Sequence, residues 1–326
     1  MSGYSISAVM AVYNPDLDFF RKALDSVLEQ LMPVQELILV NDGGGEDFKR
    51  VLPPDPRIRV YEKRNEGVAA TRNYAISRCS GDYIAFLDQD DFWYPDKLQK
   101  QMAMIASPGE VCMVISRVDI VDDLGARMQK ESITRVAATY PRKTQGSQFL
   151  LHLAEGNFIF SSTPVIHRHI FERIGGFDSY TQPHDDWDMY LRIAFAGFPV
   201  HCFQHGPLSV WRVHDANESN KMKAMLRSKC RVERKLLRVA QEESLQMILT
   251  TNLLIDYLER DNMLYKTGQF RRYRTLVGRH LIALARDRGN YKGEMAPFYS
   301  SFAGRVRKIM IKSAGDMLFH IFGAKA

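Results

Sequence analysis

Three aspartates follow directly after an apolar run in the segment YIAFLDQDD, residues 83–91. Residues 83–87 have the length and composition of a buried strand, so Asp88, Asp90 and Asp91 would lie at its C-terminal edge, where open α/β sheets bind ligands. Carboxylate oxygens there suit a hard cation such as Mg²⁺ or Mn²⁺ that also carries phosphates. An acidic turn before the next helix explains the pattern equally well, because Asp-x-Asp is a short motif.

A second acidic pair, Asp185 and Asp186, opens a predicted helix over residues 184–195. Asp188 stands four residues before Arg192, the spacing of an ion pair on one helix face. Acids in a first turn are common because they interact favourably with the helix dipole. Taken alone, this pair therefore needs no function.

Two basic side chains lie near predicted element ends. His214 follows a predicted strand at 207–213, where a lone histidine is more often an ordinary surface or core residue than a ligand. Arg72 and Asn73 lie near the start of a predicted helix at 68–78. An arginine beside phosphate-binding loops is a reasonable ion partner, and a solvated arginine is the alternative.

The elements that must position these residues alternate between strand and helix. Such alternation predicts a parallel sheet covered by helices, an α/β fold. The predicted strands are 5–12, 37–40, 58–61, 83–87, 111–121, one that begins at 158, and 207–213. The predicted helices are 17–31, 68–78, about 95–105, a short one that ends at Gly175-Gly176, and 184–195.

A glycine-rich turn at 41–45 follows the second predicted strand. No GxGxxG follows the first strand, and no GxxxxGK[ST] occurs in the sequence. These absences argue against a dinucleotide-binding dehydrogenase and against a P-loop enzyme.

The charge of the chain is unevenly distributed. Residues 1–220 hold 22 Lys and Arg against 29 Asp and Glu, a net charge of −7, whereas residues 221–326 hold 22 against 9, a net charge of +13. This predicts a catalytic domain at 1–218 and a basic helical region at 219–326 that faces an anionic partner.

The four cysteines are far apart and form neither a CxxC pair nor a zinc-binding motif. We therefore expect a reducing compartment. The N-terminus does not read as a signal peptide, and no stretch approaches the ~20 apolar residues that span a bilayer. The sequence predicts a cytoplasmic protein that is soluble or peripheral at the inner face of the membrane.

Residues 127–146 interrupt the regular pattern. The segment is polar and basic, with Arg135, Tyr140, Arg142 and Lys143. We expect a mobile loop that covers the second substrate, and plain disorder is the alternative.

In combination, these features resemble glycosyltransferase family 2 with the nucleotide-sugar-binding fold called GT-A. The order and spacing agree over about residues 5–218. The features are Tyr13 after strand 1, the Asn41-Asp42 turn, Arg72, the acids at 88–91, the Asp185-Asp186 pair and His214.

The resemblance assigns the nucleotide to the first part of the chain. Tyr13 and Asp42 would hold the base, and this sequence has Asn41 where an aspartate is more usual. Arg72 would lie near the diphosphate, and Asp88 toward the ribose.

The resemblance assigns the chemistry to the later residues. Asp90 and His214 would hold a divalent cation, Mn²⁺ or Mg²⁺, with Asp91 as a secondary candidate. Asp186 would be the catalytic base, with Asp185 in place of the usual glutamate.

The implied enzyme is an inverting hexosyl- or hexosaminyltransferase. It would move a sugar from a nucleotide diphosphate, UDP first, to a glycan or lipid-linked acceptor in bacterial-type surface polysaccharide assembly. One alternative is a sugar-1-phosphate nucleotidyltransferase, which would require a basic glycine-rich loop after strand 1 that this sequence lacks. The other is a non-catalytic protein that kept the fold. We expect no nucleic-acid partner, because the basic region lacks any such motif.

Residues 302–322 have apolar side chains at helical spacing with basic residues between them. This amphipathic, cationic pattern is compatible with packing on the catalytic unit or on a second copy of the chain. It is equally compatible with binding to an anionic membrane surface.

Overall fold

The computed structural model describes residues 4–105, 110–128 and 147–242, and beyond them residues 244–246, 248–250, 252–253 and 256. The chain divides into two compact units, Met1–Ser228 and Lys229–Ala326. The predicted loop at 127–146 lies outside the described residues apart from residues 127 and 128, and the predicted helix at 302–322 lies outside them entirely.

The first unit is built on one mixed sheet. In the described part of the chain this sheet has eight strands in the order β3-β2-β1-β4-β7-β6-β8-β5. The strands are β1 (Ile6–Val12), β2 (Glu36–Asp42), β3 (Ile58–Lys63), β4 (Tyr83–Phe86), β5 (Phe92–Trp93), β6 (Met113–Val121), β7 (Val165–His167) and β8 (Val200–Arg212).

Strands β1, β2, β3 and β4 are parallel, and β6 and β8 are parallel to each other. Strand β7 lies between β4 and β6 and is antiparallel to both. Strands β1, β2, β4, β6 and β8 therefore all end at one edge of the sheet. β1, β2 and β4 are buried almost throughout, as expected for central parallel strands covered on both faces.

Helices connect and flank the strands. They are α1 (Leu17–Leu28), α2 (Val68–Ile76), α3 (Lys97–Met102), α4 (Ser147–Glu155), α5 (Arg168–Ile174), α6 (Asp185–Phe195) and α7 (Met222–Leu237). Among the residues that the structure describes, no helix is both long and apolar enough to cross a membrane.

Helix α1 begins where the sequence predicts but ends earlier. The Asp16 carboxylate accepts hydrogen bonds from the backbone N–H groups of Asp18 and Phe19, at 3.0 and 3.1 Å, and so caps the first turn. The helix ends at Leu28 instead of residue 31, and Leu31 is 64% exposed instead of packed on the helix face. The cause is tertiary, because the Leu31 N–H donates to the carbonyl of Pro95.

The strand predicted to begin at residue 158 begins only at Val165. The segment before it bonds to side chains instead of to the sheet ladder. The Ser162 carbonyl accepts from Trp93 Nε1 at 2.9 Å, and the Ser162 hydroxyl donates to Asp91 at 2.6 Å. The polar residues 161–163 thus form a loop under the acidic turn that follows β4.

Helix α6 and the helix before it agree with the sequence. Helix α5 ends at Ile174, and Gly175 caps it with a φ of +80°, a conformation that favours glycine. In α6, the expected pair of Asp188 and Arg192 is formed at 2.8 Å. Trp187 and Leu191 are fully buried, so the apolar face fixes the orientation of the helix and of the acids in its first turn.

Candidate active site

A cleft of about 1060 Å³ lies where the strands of the first unit end. Its lining comes from the end of β2, from the segments after β1, β3, β4 and β8, from α2, from the start of α6 and from the loop before β7. Nearly all of the predicted site residues line it, namely Tyr13, Asp42, Arg72, Asp88, Asp90, Asp91, Asp185, Asp186 and His214.

Asp90 and His214 form the predicted metal-binding pair. Asp90 Oδ2 and His214 Nε2 are 2.8 Å apart, although 124 residues separate them in the chain. Their side chains are 24% and 20% exposed, so an ion can reach both from the cleft. The carboxylate oxygen suits Mn²⁺ or Mg²⁺, and of these two ions the transition metal Mn²⁺ accepts an imidazole nitrogen more readily. The hydrogen bond to Asp90 raises the pKa of His214, so in the absence of an ion the two side chains pair with each other.

Asp91 has a different role from Asp90. It is 2% exposed, and its two carboxylate oxygens accept hydrogen bonds from the Ser162 hydroxyl at 2.6 Å and from the Arg212 N–H at 2.9 Å. Burial, with the charges of Asp90 and Asp88, raises the pKa of Asp91. These contacts favour a structural role for Asp91, which ties the acidic turn to β8.

Arg72 joins the two acidic segments. Its guanidinium contacts Asp88 Oδ1 at 2.7 Å and Asp185 Oδ2 at 3.2 Å. Burial alone would lower the pKa of Arg72, but Asp88 and Asp185 raise it, and the group stays charged. The Ser161 hydroxyl donates to Asp88 Oδ2 at 2.5 Å, so both oxygens of Asp88 are engaged within the protein.

Among the described residues, no cationic side chain forms a hydrogen bond or ion pair with Asp186. Its oxygens accept hydrogen bonds from the Trp187 N–H at 2.6 Å and from Asn157 Nδ2 at 3.3 Å. Burial raises the pKa of Asp186 to about 7, and the charge of Asp185 adds to the rise while Arg72 opposes it. A carboxylate with a pKa near neutrality is a better proton acceptor than an ordinary aspartate, as general base catalysis requires.

At the other end of the cleft, Tyr13 and Asp42 are held by partners within the protein. Tyr13 is 48% exposed, and the Gln89 side chain bonds both its backbone N–H and its carbonyl. Asp42 accepts from Lys63 Nζ at 2.7 Å and from the Gly67 N–H at 2.9 Å. Burial would raise the pKa of Asp42, but Lys63 and backbone donors lower it, so the side chain is ionised.

Asn41 and Asn73 are not among the residues that line the cleft. The Asn41 amide bonds the N–H and carbonyl of Gly44 and so shapes the glycine-rich turn. Both amide atoms of Asn73 bond the backbone of Phe177, at 2.8 and 2.7 Å. These two candidates are thus engaged in holding the backbone.

Four residues that support the site are not among those predicted from the sequence. Lys63 stands directly opposite Asp42 in the register of β2 and β3, a pairing that the sequence shows only once the register is known. Ser161 and Ser162 interrupt the apolar run FIFSST, and that interruption was the available signal. Asn157 had no signal, because a single asparagine before an apolar run is ordinary.

Comparisons with known proteins agree with the fold. Glycosyl transferase family 2 matches residues 7–175. An uncharacterized glycosyltransferase of Rickettsia typhi is 29% identical over 222 residues, which are 66% of each chain. A putative teichuronic acid biosynthesis glycosyltransferase of Bacillus subtilis, TuaG, is 39% identical over 102 residues, 30% of this chain and 40% of that protein. The chain thus aligns to less than two thirds of the length of these relatives.

Two solved structures share the fold. A mannosyltransferase from Pyrobaculum calidifontis, in complex with GDP-Man and Mn²⁺, superposes with a TM-score of 0.58 at 15% identity, over 97% of this chain and 89% of that one. Staphylococcus aureus TarS 1-349, in complex with UDP-GlcNAc, gives a TM-score of 0.56 at 15% identity, over 78% and 73%.

These comparisons leave the nucleotidyltransferase and the non-catalytic scaffold without support. Because the family match covers more than half of the sequence, and because the two solved structures share the architecture of the sheet and its helices, the chain belongs to glycosyl transferase family 2 and has the GT-A fold.

Proposed function

We propose that this glycosyltransferase moves a sugar from a nucleoside diphosphate to an acceptor hydroxyl by a single displacement that inverts the anomeric carbon. Asp186 carries the proposal. It lines the same cleft as Asp90 and His214, has no cationic side chain bonded to it in the described part of the chain, and has a pKa raised to about 7. An acceptor hydroxyl is unreactive at neutral pH, so its attack needs such a carboxylate to take its proton.

The donor would extend along the cleft from the turn after β2 to the turn after β4. Tyr13 offers an exposed ring against a base, and Asp42 is an ionised acceptor at the end of β2. Asp88 would face the ribose. Arg72 lies beside it as a permanent positive charge for the diphosphate.

A divalent cation would be held by Asp90 and His214. When bound, it supplies charge stabilisation for the diphosphate as the bond to the sugar breaks. The hydrogen bond between the two side chains keeps them together at the mouth of the cleft, so little rearrangement is needed to bind the ion.

The sugar and nucleotide are to be found by assay. The structural neighbours are complexes with a UDP-sugar and a GDP-sugar, so their likeness does not choose between bases. We take UDP-sugars as the first donors to test, and other pyrimidine donors next.

The acceptor we propose is a glycan or a lipid-linked glycan in surface polysaccharide assembly. The similarity to TuaG, a putative teichuronic acid biosynthesis glycosyltransferase, supports this class. A membrane contact through residues 302–322 would bring a lipid-linked acceptor within reach. Co-sedimentation of the full chain with anionic and neutral vesicles tests that contact, and binding that ignores lipid charge contradicts it.

The central experiment is a donor panel. The full chain is incubated with nucleotide sugars and Mn²⁺ or Mg²⁺, and the release of free nucleoside diphosphate is measured. We expect one donor to be turned over only with the cation, and Asp186→Asn to lower that turnover by about 10²-fold or more.

The matched control is Asp18→Asn. Asp18, like Asp186, is an acid in the first turn of a helix, but it is exposed and lies outside the cleft lining. Equal turnover of Asp186→Asn and wild type at saturating substrate would move the base elsewhere. Turnover without any added cation, after chelation, would remove the metal from the proposal.

A further inference from the structure

The edge of the sheet opposite the cleft carries a second group of chemically active side chains. Glu110, Cys112 and His201 each place a metal-ligating atom within 4.8 Å of the other two. Glu110 and Cys112 precede β6, and His201 is the second residue of β8. The cleft residue His214 follows the far end of β8, so the two sites lie at opposite ends of the same strand.

Strand geometry explains why these side chains meet. In the parallel pairing of β6 and β8, Val114 lies opposite His201. Residues 110, 112 and 114 occupy every second position of an extended segment, so their side chains lie on one face of the sheet. His201, opposite Val114, has its side chain on the same face. His201 Nε2 and Glu110 Oε1 are already 2.8 Å apart.

The backbone under the group is fixed by long-range bonds. The Cys112 carbonyl accepts from the His167 N–H at 3.0 Å, and the Glu110 carbonyl accepts from the Tyr83 hydroxyl at 2.7 Å. Cys112 is fully buried, whereas the Glu110 and His201 side chains are each 18% exposed. The group is therefore held in place and open to solvent on one side.

We propose that Glu110, Cys112 and His201 form a second metal site, which takes Zn²⁺ and fastens the beginnings of β6 and β8 to each other. A thiolate, an imidazole and a carboxylate are the ligand set that Zn²⁺ prefers, and a water or other small ligand would complete four-coordination. A dication balances the two negative ligands, so the bound site carries no net charge. Binding replaces the thiol proton of Cys112, which passes to solvent.

One other group in the described part of the chain has a comparable ligand set, namely Cys230, Glu233 and Asp256. Lys229 Nζ already lies 2.8 Å from Asp256 Oδ1 there. That ammonium compensates the carboxylate and repels a metal ion. This difference favours the group at Glu110.

Titration of the full chain with Co²⁺ tests the proposal, because a thiolate ligand gives a sulfur-to-cobalt charge-transfer band in the near ultraviolet. The proposed cleft ligands Asp90 and His214 contain no sulfur and cannot give this band. We expect one equivalent of Co²⁺ to produce it, and Zn²⁺ to abolish it by displacement. A wild-type chain without the band overturns the proposal.

Variants identify the ligands. We expect Cys112→Ser to remove the band and Cys202→Ser to keep it, because Cys202 follows His201 on β8 and so faces the other side of the sheet. Cys230→Ser should also keep the band. A band that survives Cys112→Ser, or that either control removes, assigns the metal to another thiol and contradicts the site.

His201→Gln and Glu110→Gln decide the question even if Cys112→Ser does not fold. Loss of a residue that only hydrogen-bonds to a metal ligand lowers metal affinity by roughly 10–100-fold. Each of these variants removes a ligand itself, so we expect a larger loss of Zn²⁺ affinity in calorimetry. Unchanged affinity in both variants would mean that the pair is an ordinary ion pair and not a metal site. Donor turnover with Mn²⁺ should be unaffected in either variant, which separates this proposal from the proposed function.

Discussion

The two acidic segments of the cleft contain the same residue type in very different surroundings. Asp90, after β4, is paired with His214 at 2.8 Å and is partly open to solvent. Asp186, at the start of α6, accepts hydrogen bonds from the neutral donors Trp187 N–H and Asn157, and burial raises its pKa to about 7. One environment suits a metal ligand, and the other suits a base that takes up and releases a proton.

Arg72 connects the two segments and helps to keep them different. It forms ion pairs with Asp88 on one side and with Asp185 on the other, so in each segment Arg72 compensates the charge of one carboxylate. Asp90 and Asp186 are cleft carboxylates that Arg72 does not contact directly. Their separate partners, not their residue type or spacing, then determine what each can do.

The largest effect is expected from Asp90→Ala. The variant removes the carboxylate ligand, and Asp91 cannot replace it because both of its oxygens are bonded within the protein. We expect metal-dependent donor binding to disappear in calorimetry with UDP and Mn²⁺. Asp96→Ala, on the same segment but outside the cleft lining, is the control. Wild-type affinity in Asp90→Ala would show that the metal assignment is wrong.

His214→Ala should have a smaller effect on the same measurement. It leaves Asp90 in place, so we expect weaker metal binding instead of its loss. Only the neutral imidazole binds a metal, and the pKa of His214 is raised, so metal binding by wild type should weaken as the pH falls through that pKa. If His214→Ala and wild type give the same metal titration, His214 is an ordinary residue at a strand end and not a metal ligand. His205→Ala is the control on β8.

Asn157→Ala removes a hydrogen bond to the proposed base and leaves the base itself in place. Asn157 donates to Asp186, and the loss of one such hydrogen bond is worth about 1 kcal/mol, roughly fivefold in turnover. A donor to a carboxylate lowers its pKa, so the variant should also move the acid limb of the pH profile of kcat to higher pH. A lower kcat with an unmoved profile would assign Asn157 to folding or substrate contact instead.

The most indirect test is the stability of Asp186→Asn. The pKa of Asp186 is raised in the folded state, so wild type loses stability as the pH rises from about 4 through about 7. The variant should therefore melt at a higher temperature than wild type at pH 8, with the difference gone near pH 4. If the two proteins melt alike at pH 8, the carboxylate is not in the environment described here.

The sequence by itself determined the class of the protein. Apolar runs followed by acids, separated by amphipathic helices, specify an α/β sheet with carboxylates at the strand ends. This holds because strand burial and helical periodicity are local properties of the chain. The order of Tyr13, Asp42, Arg72, the acids at 88–91, the pair at 185–186 and His214 was enough to indicate the family.

Only the tertiary structure decided which of these residues are already bonded within the protein and which can bind a ligand. Strand register puts Lys63 against Asp42, and the loop at 157–163 supplies Ser161 to Asp88, Ser162 to Asp91 and Asn157 to Asp186. The group of Glu110, Cys112 and His201 forms in the same way, across 91 residues of sequence. A carboxylate's charge state and partners depend on what is packed around it, and residues distant in the chain supply that packing.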